Sequence, residues 1–162
     1  YEAAGYDVRC VTLPGLDVRT FNPPADVHGI VASPPCTEFS IVKRGERDFA
    51  GGLELVDACL RIVRQCELSK RLAWWALENP RGLLRRFLGI PACSVEFWRF
   101  GDDLQKPTDI WGYFKQPMHT VFDKPKKLRR IEKDFHNWDG KAAERRAITP
   151  PGFAAAFFRA NQ

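Results

Sequence analysis

Paired cysteines, metal-ligand spacing and long apolar runs are all missing from this sequence, and each absence removes a class of function. The five cysteines, at 10, 36, 59, 66 and 93, form an odd set with no CxxC pair, which argues against a disulfide framework and against a structural zinc site. His28, His119 and His136 are scattered without ligand-like spacing, so no metal is expected. The longest apolar runs, "LAWWAL" at 72–77 and "FAAAFF" at 153–158, fall far short of the roughly 18 residues a membrane span needs. No secretory signal precedes them, and unpaired cysteines suit a reducing compartment, so the expected location is cytoplasmic, with no membrane partner.

What is present fits one folded domain. A chain of 162 residues, 44% hydrophobic and 28% charged, is large enough for one core and too average in composition for disorder or a fibrous repeat. The net charge of +5 is unevenly placed. "KPKKLRRIEKDFHNWDGKAAERR", 124–146, interleaves cations with Phe135, His136 and Trp138, and reads either as a solvated surface or as one that holds phosphates and stacks on bases.

Periodicity divides the chain into strands and helices. "YEAAGYDVRCVTL" reads as a helix tail, a Gly5 C-cap and a strand alternating at Val8, Cys10 and Thr12; the chain, lacking an initiator Met, reads as beginning mid-fold. "VHGIVAS", opened by Asp26, is a short buried strand. "GGLELVDACLRIVRQCEL", 51–68, puts Leu53, Val56, Leu60 and Val63 on one helical face. "RLAWWALENP" is another strand, ending in Glu78, Asn79 and Pro80, and "RGLLRRFLG" a short basic helix closed by Gly89. "CSVEFWRFG" and "TDIWGYF" read as two further strands with "DDLQKP" between them, and "TPPGFAAAFFRANQ" as a helix capped by Thr149. Alternating strands and helices predict an α/β fold, with ligands collecting at the carboxyl ends of strands.

Two unusual clusters fall at such ends. "SPPCTEFS" follows one strand and "ENPRG" the next, with a helix between them, the spacing of a βαβ unit that sets two strand ends side by side. Cys36 and Glu78 are therefore expected as neighbours, a combination suited to nucleophilic attack with proton donation or hydrogen bonding. The other four cysteines read as packed residues. A protease-type Cys-His pair is disfavoured, because His28 begins the same strand about 25 Å away at the extended-chain rise.

These residues resemble a known family. "PPCTEFS" resembles the PCQ-centred motif of DNA cytosine-5 methyltransferases, "ALENP" resembles their ENV motif, and "FGDDLQKPTDIW" their "YGxPQxRxR" segment, in the family's order. "GLDV" looks like the family's "GDI", and "TPPGFAAAFFRAN" resembles the end of short phage and prophage stand-alone methylases. The resemblance implies a Rossmann-like class I methyltransferase sheet with helices on both faces, a single catalytic domain over 1–162 that is N-terminally incomplete, S-adenosylmethionine as methyl donor, and a bacterial or phage-infected host. Cys36 would add to C6 of a cytosine while Glu78 engages N3. Pro35, Asn79, Gln105, Lys106 and Thr108 would meet or position the substrate, and Asp17, Val18, Pro35 and Leu55 the cofactor. DNA would be engaged as a duplex with a flipped cytosine or as a single strand. The loop "KRGERD", 43–48, would close over the substrate with Gly45 as a hinge.

The chain also departs from the family. The glycine-rich cofactor loop would precede residue 1, and the ribose-gripping acid would fall near Thr12 or Leu13, where none stands. Pro107 and Asp109 replace the arginines of "QxRxR". Only about 35 residues separate "DIWGYF" from the last helix, too few for a full target-recognition domain at typical domain sizes, leaving 113–146 as a small basic recognition-like segment. Two alternatives stand beside methylation of DNA. One is a pyrimidine-C5 enzyme using another one-carbon donor or a nucleotide substrate; the other is a non-catalytic nucleic-acid-binding remnant.

Overall fold

The apolar run "WWAL" is buried on both sides and makes strand β2 (Trp74–Pro80) the spine of the fold. In the computed structural model, which describes residues 1–130 and 148–162, β2 pairs in parallel with β1 (Gly29–Ala32) and antiparallel with β5 (Thr108–Tyr113). β5 in turn pairs antiparallel with β3 (Cys93–Val95), giving a mixed four-stranded sheet of order β1-β2-β5-β3. A second, two-stranded sheet joins β4 (Leu104–Gln105) to β6 (Arg129–Arg130). The chain is therefore α/β, as its periodicity predicts.

Side-chain alternation along β2 and β5 supplies both faces of the sheet with a core. Trp74, Ala76 and Ile110 pack with Phe97, Phe100, Phe153 and Phe157 on one side. Leu77 and Trp111 pack with Phe39, Val56 and Leu84 on the other. Helix α1 (Phe49–Leu68) and the short α2 (Arg85–Leu88) cover the second face, and α3 (Pro151–Ala160) covers the first. Edge-to-face rings bind α3 to the sheet, with Trp74 and Phe157 centroids 5.5 Å apart, and to the turn after β3, with Phe97 and Phe153 5.4 Å apart.

Helix α1 starts at Phe49 because Asp48 caps it, its carboxylate accepting from the Gly51 amide at 2.8 Å. A Cβ on Gly51 would lie 2.3 Å from that carboxylate, so the glycine makes room for the cap.

Several local expectations are corrected. Residues 7–12 form no strand; a three-residue alternation whose first member, Val8, is exposed has too little apolar surface to recruit a partner. β1 is an edge strand rather than a buried one, and Val31 is 58% exposed. Phe97–Phe100 forms a 3-10 turn instead of extending β3, and so aims Phe97, Trp98 and Phe100 into the core. Thr149 does not cap α3. Pro150 occupies that position without a side-chain bond, and the cap comes from Asp102, whose carboxylate oxygens accept from the Gly152 and Phe153 amides at 2.9 Å each. Of the basic stretch 124–146, residues 131 onward lie outside the described residues.

Replacing Asp102 by Ala leaves two helix-start amides without their acceptor and is expected to cost about 1–2 kcal/mol. Thr149→Ala is expected to stay within about 0.5 kcal/mol of the parent. Urea denaturation of the two variants checks both values.

Candidate active site

Pro34 and Pro35 end β1 because neither has an amide to offer a ladder. The chain end they create is tied to β2: the Asn79 side-chain amide, fully buried, donates to the Pro34 carbonyl at 3.0 Å. One residue beyond the prolines, Cys36 opens a tight turn, its carbonyl accepting from the Phe39 and Ser40 amides at 3.0 and 2.9 Å. Cys36 itself is half-buried. Phe39, with no exposed surface, anchors the turn from below, and its carbonyl accepts from the Leu83 amide at 2.8 Å. Gly82 permits that approach, since a Cβ there would lie 2.4 Å from the Phe39 carbonyl oxygen. Segments 34–39 and 79–83 are thus clamped together at two points, Asn79 and Leu83.

Alternation on β2 sends Glu78 to the opposite face from Asn79. Its Oε1 atom is buried without a hydrogen-bond partner among the described residues, and lies 3.6 Å from the Lys106 ammonium. Both side chains are mostly covered, Glu78 at 22% and Lys106 at 12% exposure, so their attraction is less screened than on an open surface. Thr108 is fully buried and donates to the Lys106 carbonyl at 3.1 Å, so it supports Lys106 from inside the protein instead of facing a substrate. Gln105 stands exposed on β4.

The loop that follows Cys36 closes on Glu38. The Glu38 carboxylate accepts from the Lys43 ammonium at 2.6 Å and from the Asp48 amide at 2.7 Å. Arg47 ties down the backbone, donating to the Glu38 carbonyl at 2.7 Å and the Lys43 carbonyl at 3.0 Å. Gly45 takes a positive φ of 83° at the far end, a conformation that glycine adopts without strain. Lys43 and Arg47 are therefore engaged within their own loop, and Arg44 is exposed at its tip.

On the other side of Pro35 lies a cleft of about 920 Å³. Asp17, Val18, Pro35 and Leu55 all line it. Arg61 of α1 holds the Asp17 segment in place by donating to the Val18 and Phe21 carbonyls, both at 2.9 Å. The Arg19 guanidinium and amide bond to Asp17 and hold its carboxyl below the usual carboxylate range. Size and lining suit an organic cofactor, whose pockets commonly run from about 300 to 1,000 Å³ and are mostly apolar with a few polar anchors. Neither Cys36 nor Glu78 lines the cleft; it ends at Pro34 and Pro35, directly before the cysteine.

The remaining cysteines differ from Cys36 in surroundings. Burial pushes the Cys59 and Cys66 thiols up, and burial together with the Asp109 charge pushes Cys93 up to about 11, which disfavours thiolate chemistry at all three. Cys10 is exposed and lines the cleft. Among the described residues no cluster of His, Cys, Asp or Glu could hold a metal, and no helix is long and apolar enough to cross a membrane.

One cluster was not foreseen. Asp109, with no exposed surface, receives Arg85 through two guanidinium nitrogens, Nη2 at 2.6 Å, and the Ser94 hydroxyl at 2.9 Å, while Arg81 Nε stands 3.8 Å away. The signal lay in "TDIW", where a carboxylate interrupts an apolar strand, a pattern that demands a buried cation.

The bonds to Glu38 hold its carboxyl below the ordinary range, Lys43 contributing most and the Asp48 amide next. The loop is therefore held fully above the ordinary glutamate value near about pH 4.3 and is released as pH falls through the depressed one. Limited proteolysis within 41–47 is expected to rise on acidification in the parent protein. Glu38→Gln is expected to be cleaved readily at neutral pH and to show little further change with acid.

Comparison with protein-family models gives no match, and comparison with curated proteins gives no significant one.

Proposed function

We propose that the chain is a DNA cytosine-5 methyltransferase acting through a covalent adduct between Cys36 and cytosine C6. The observation that carries this reading is the double clamp between segments 34–39 and 79–83, which gathers the ends of two parallel strands beside a cofactor-sized cleft. Ligands in open α/β sheets bind outside the carboxyl ends of strands. A mixed sheet covered by helices on both faces is compatible with the Rossmann-like class I methyltransferase fold.

In this reading Asp17, Val18, Pro35 and Leu55 hold S-adenosylmethionine, which when bound supplies an electrophilic methyl group. The Cys36 thiolate adds to C6 of the ring. Negative charge then spreads to N3, which takes a proton from the Glu78 carboxyl group, and C5 becomes nucleophilic. After C5 is substituted, loss of its proton and departure of the Cys36 thiolate restore the aromatic ring. Lys106, 3.6 Å from Glu78, restrains that side chain by charge. Cytosine C6 is covered by stacking in a duplex, so the target is a flipped or single-stranded nucleotide. Pro35 lines the cofactor cleft and Cys36 follows it directly, so in this reading base and cofactor meet at one rigid turn.

Fluorine at C5 removes the proton that elimination needs, so DNA carrying 5-fluorocytosine is expected to trap the protein covalently when S-adenosylmethionine is present. Cys36→Ser is expected to abolish the trapped species. Glu78→Gln is expected to slow its formation by about 100-fold or more, the scale of a lost acid-base group. An adduct that survives Cys36→Ser would overturn the assignment of the nucleophile. DNA binding with no adduct in any form would favour the non-catalytic reading.

A further inference from the structure

Arg81 and Arg85 both face one buried carboxylate, and one of them is not consumed by it. Asp109 has two oxygens with about four lone-pair sites. Arg85 takes Oδ2 through Nε and Oδ1 through Nη2, and the Ser94 hydroxyl takes Oδ1 as well. Arg81 Nε, at 3.8 Å from Oδ1, is within ion-pair reach but outside hydrogen-bond distance. The carboxylate therefore orients the Arg81 guanidinium without using its donors, and the side chain remains 46% exposed. The cluster of two guanidinium groups and one carboxylate keeps a surplus positive charge at the surface.

The backbone of Arg81 is held as firmly as a strand residue. Its amide donates to the Pro107 carbonyl at 2.9 Å. Asn79 joins the Cys36 segment on one side of it, and Gly82 and Leu83 meet Phe39 on the other. Arg81 thus stands three residues past Glu78, between the two points that clamp the strand ends together. A fixed guanidinium with unused planar donors matches the oxygen spacing of a phosphate diester and acts as more than a diffuse positive surface.

We infer that Arg81 is a phosphate-binding residue that seats the phosphodiester flanking the reacting nucleotide. This inference rests on the nucleic-acid part of the proposed function and not on methyl transfer itself. The phosphate replaces water on the exposed guanidinium edge, while Asp109 keeps that edge from swinging away. Arg85, spent on Asp109, serves as the positioning residue behind it.

Equilibrium binding of a fluorescein-labelled single-stranded oligonucleotide, titrated across a series of salt concentrations, tests this. Arg81→Gln is expected to weaken binding uniformly across sequences and to reduce the slope of log affinity against log salt by about 0.7, the value for one phosphate contact on a single strand. Arg81→Lys is expected to recover most of the slope, and Arg159→Gln, on α3, to leave it unchanged. The Arg81→Gln protein is expected to melt like the parent, because Asp109 keeps its hydrogen-bonded partners Arg85 and Ser94. An unchanged slope in Arg81→Gln, or no binding by the parent, would overturn the inference. A reduced slope without any Cys36 adduct would retain the phosphate seat and reject the methyl-transfer reading; an adduct with an unchanged slope would do the reverse.

Discussion

A carboxylate with no exposed surface has to be compensated where it sits, and Asp109 imposes that requirement on the centre of the sheet. Its partners come from three parts of the chain. Ser94 lies directly across from it in the β3–β5 register, so the hydroxyl bond and the ladder agree on one pairing. Arg85 projects from α2, and its two bonds set that four-residue helix against the sheet despite the helix being too short to stand alone. Arg81 is drawn to the same charge. Moving Asp109 by one residue along β5 would turn it to the opposite face, away from all three. The register of the strand pair and the placement of the basic segment after "ENP" thus hang on one buried charge.

That constraint reaches the candidate site through β2. Glu78 and Asn79 are consecutive, and strand geometry sends them to opposite faces. Asn79 turns toward the "PPC" turn and holds its proline carbonyl, while Glu78 turns toward Lys106. One strand end therefore supplies both a structural tie to the cysteine segment and an acid with unused acceptor capacity. Side chains mounted on a strand end and a one-turn loop with a buried phenylalanine beneath it are held more rigidly than side chains on a free loop. The loop from Lys43 to Asp48 is built differently, around exposed or partly exposed polar bonds to Glu38, and belongs to the part of the molecule that opens most easily.

Element types were legible in the sequence because they depend on local rules. β-Branched and aromatic runs ending in proline mark β1 and β2, apolar spacing marks α1, and glycine at 89 closes α2. The segments that misled were those whose local preference was outweighed by distant partners. Thr149 has the chemistry of a cap, yet Asp102, about fifty positions earlier, holds the α3 amides through a better placed carboxylate. "EFWRF" alternates like a strand, but packing Phe97 and Phe100 against Phe153 of α3 favours a 3-10 turn. Thr108 looks like a surface residue of a polar segment and is instead sealed beneath Lys106.

The sequence alone was enough to settle which kinds of element most segments form, since composition, spacing and backbone preference act over a few residues at a time. Tertiary structure alone decided that Asn79 and Leu83 clamp the two strand ends, that Glu78 faces a lysine, and that Arg81 and Arg85 share one aspartate. Those outcomes depend on burial and on pairings across tens of residues. Only the folded chain sets the cost of leaving a charge or an amide unsatisfied.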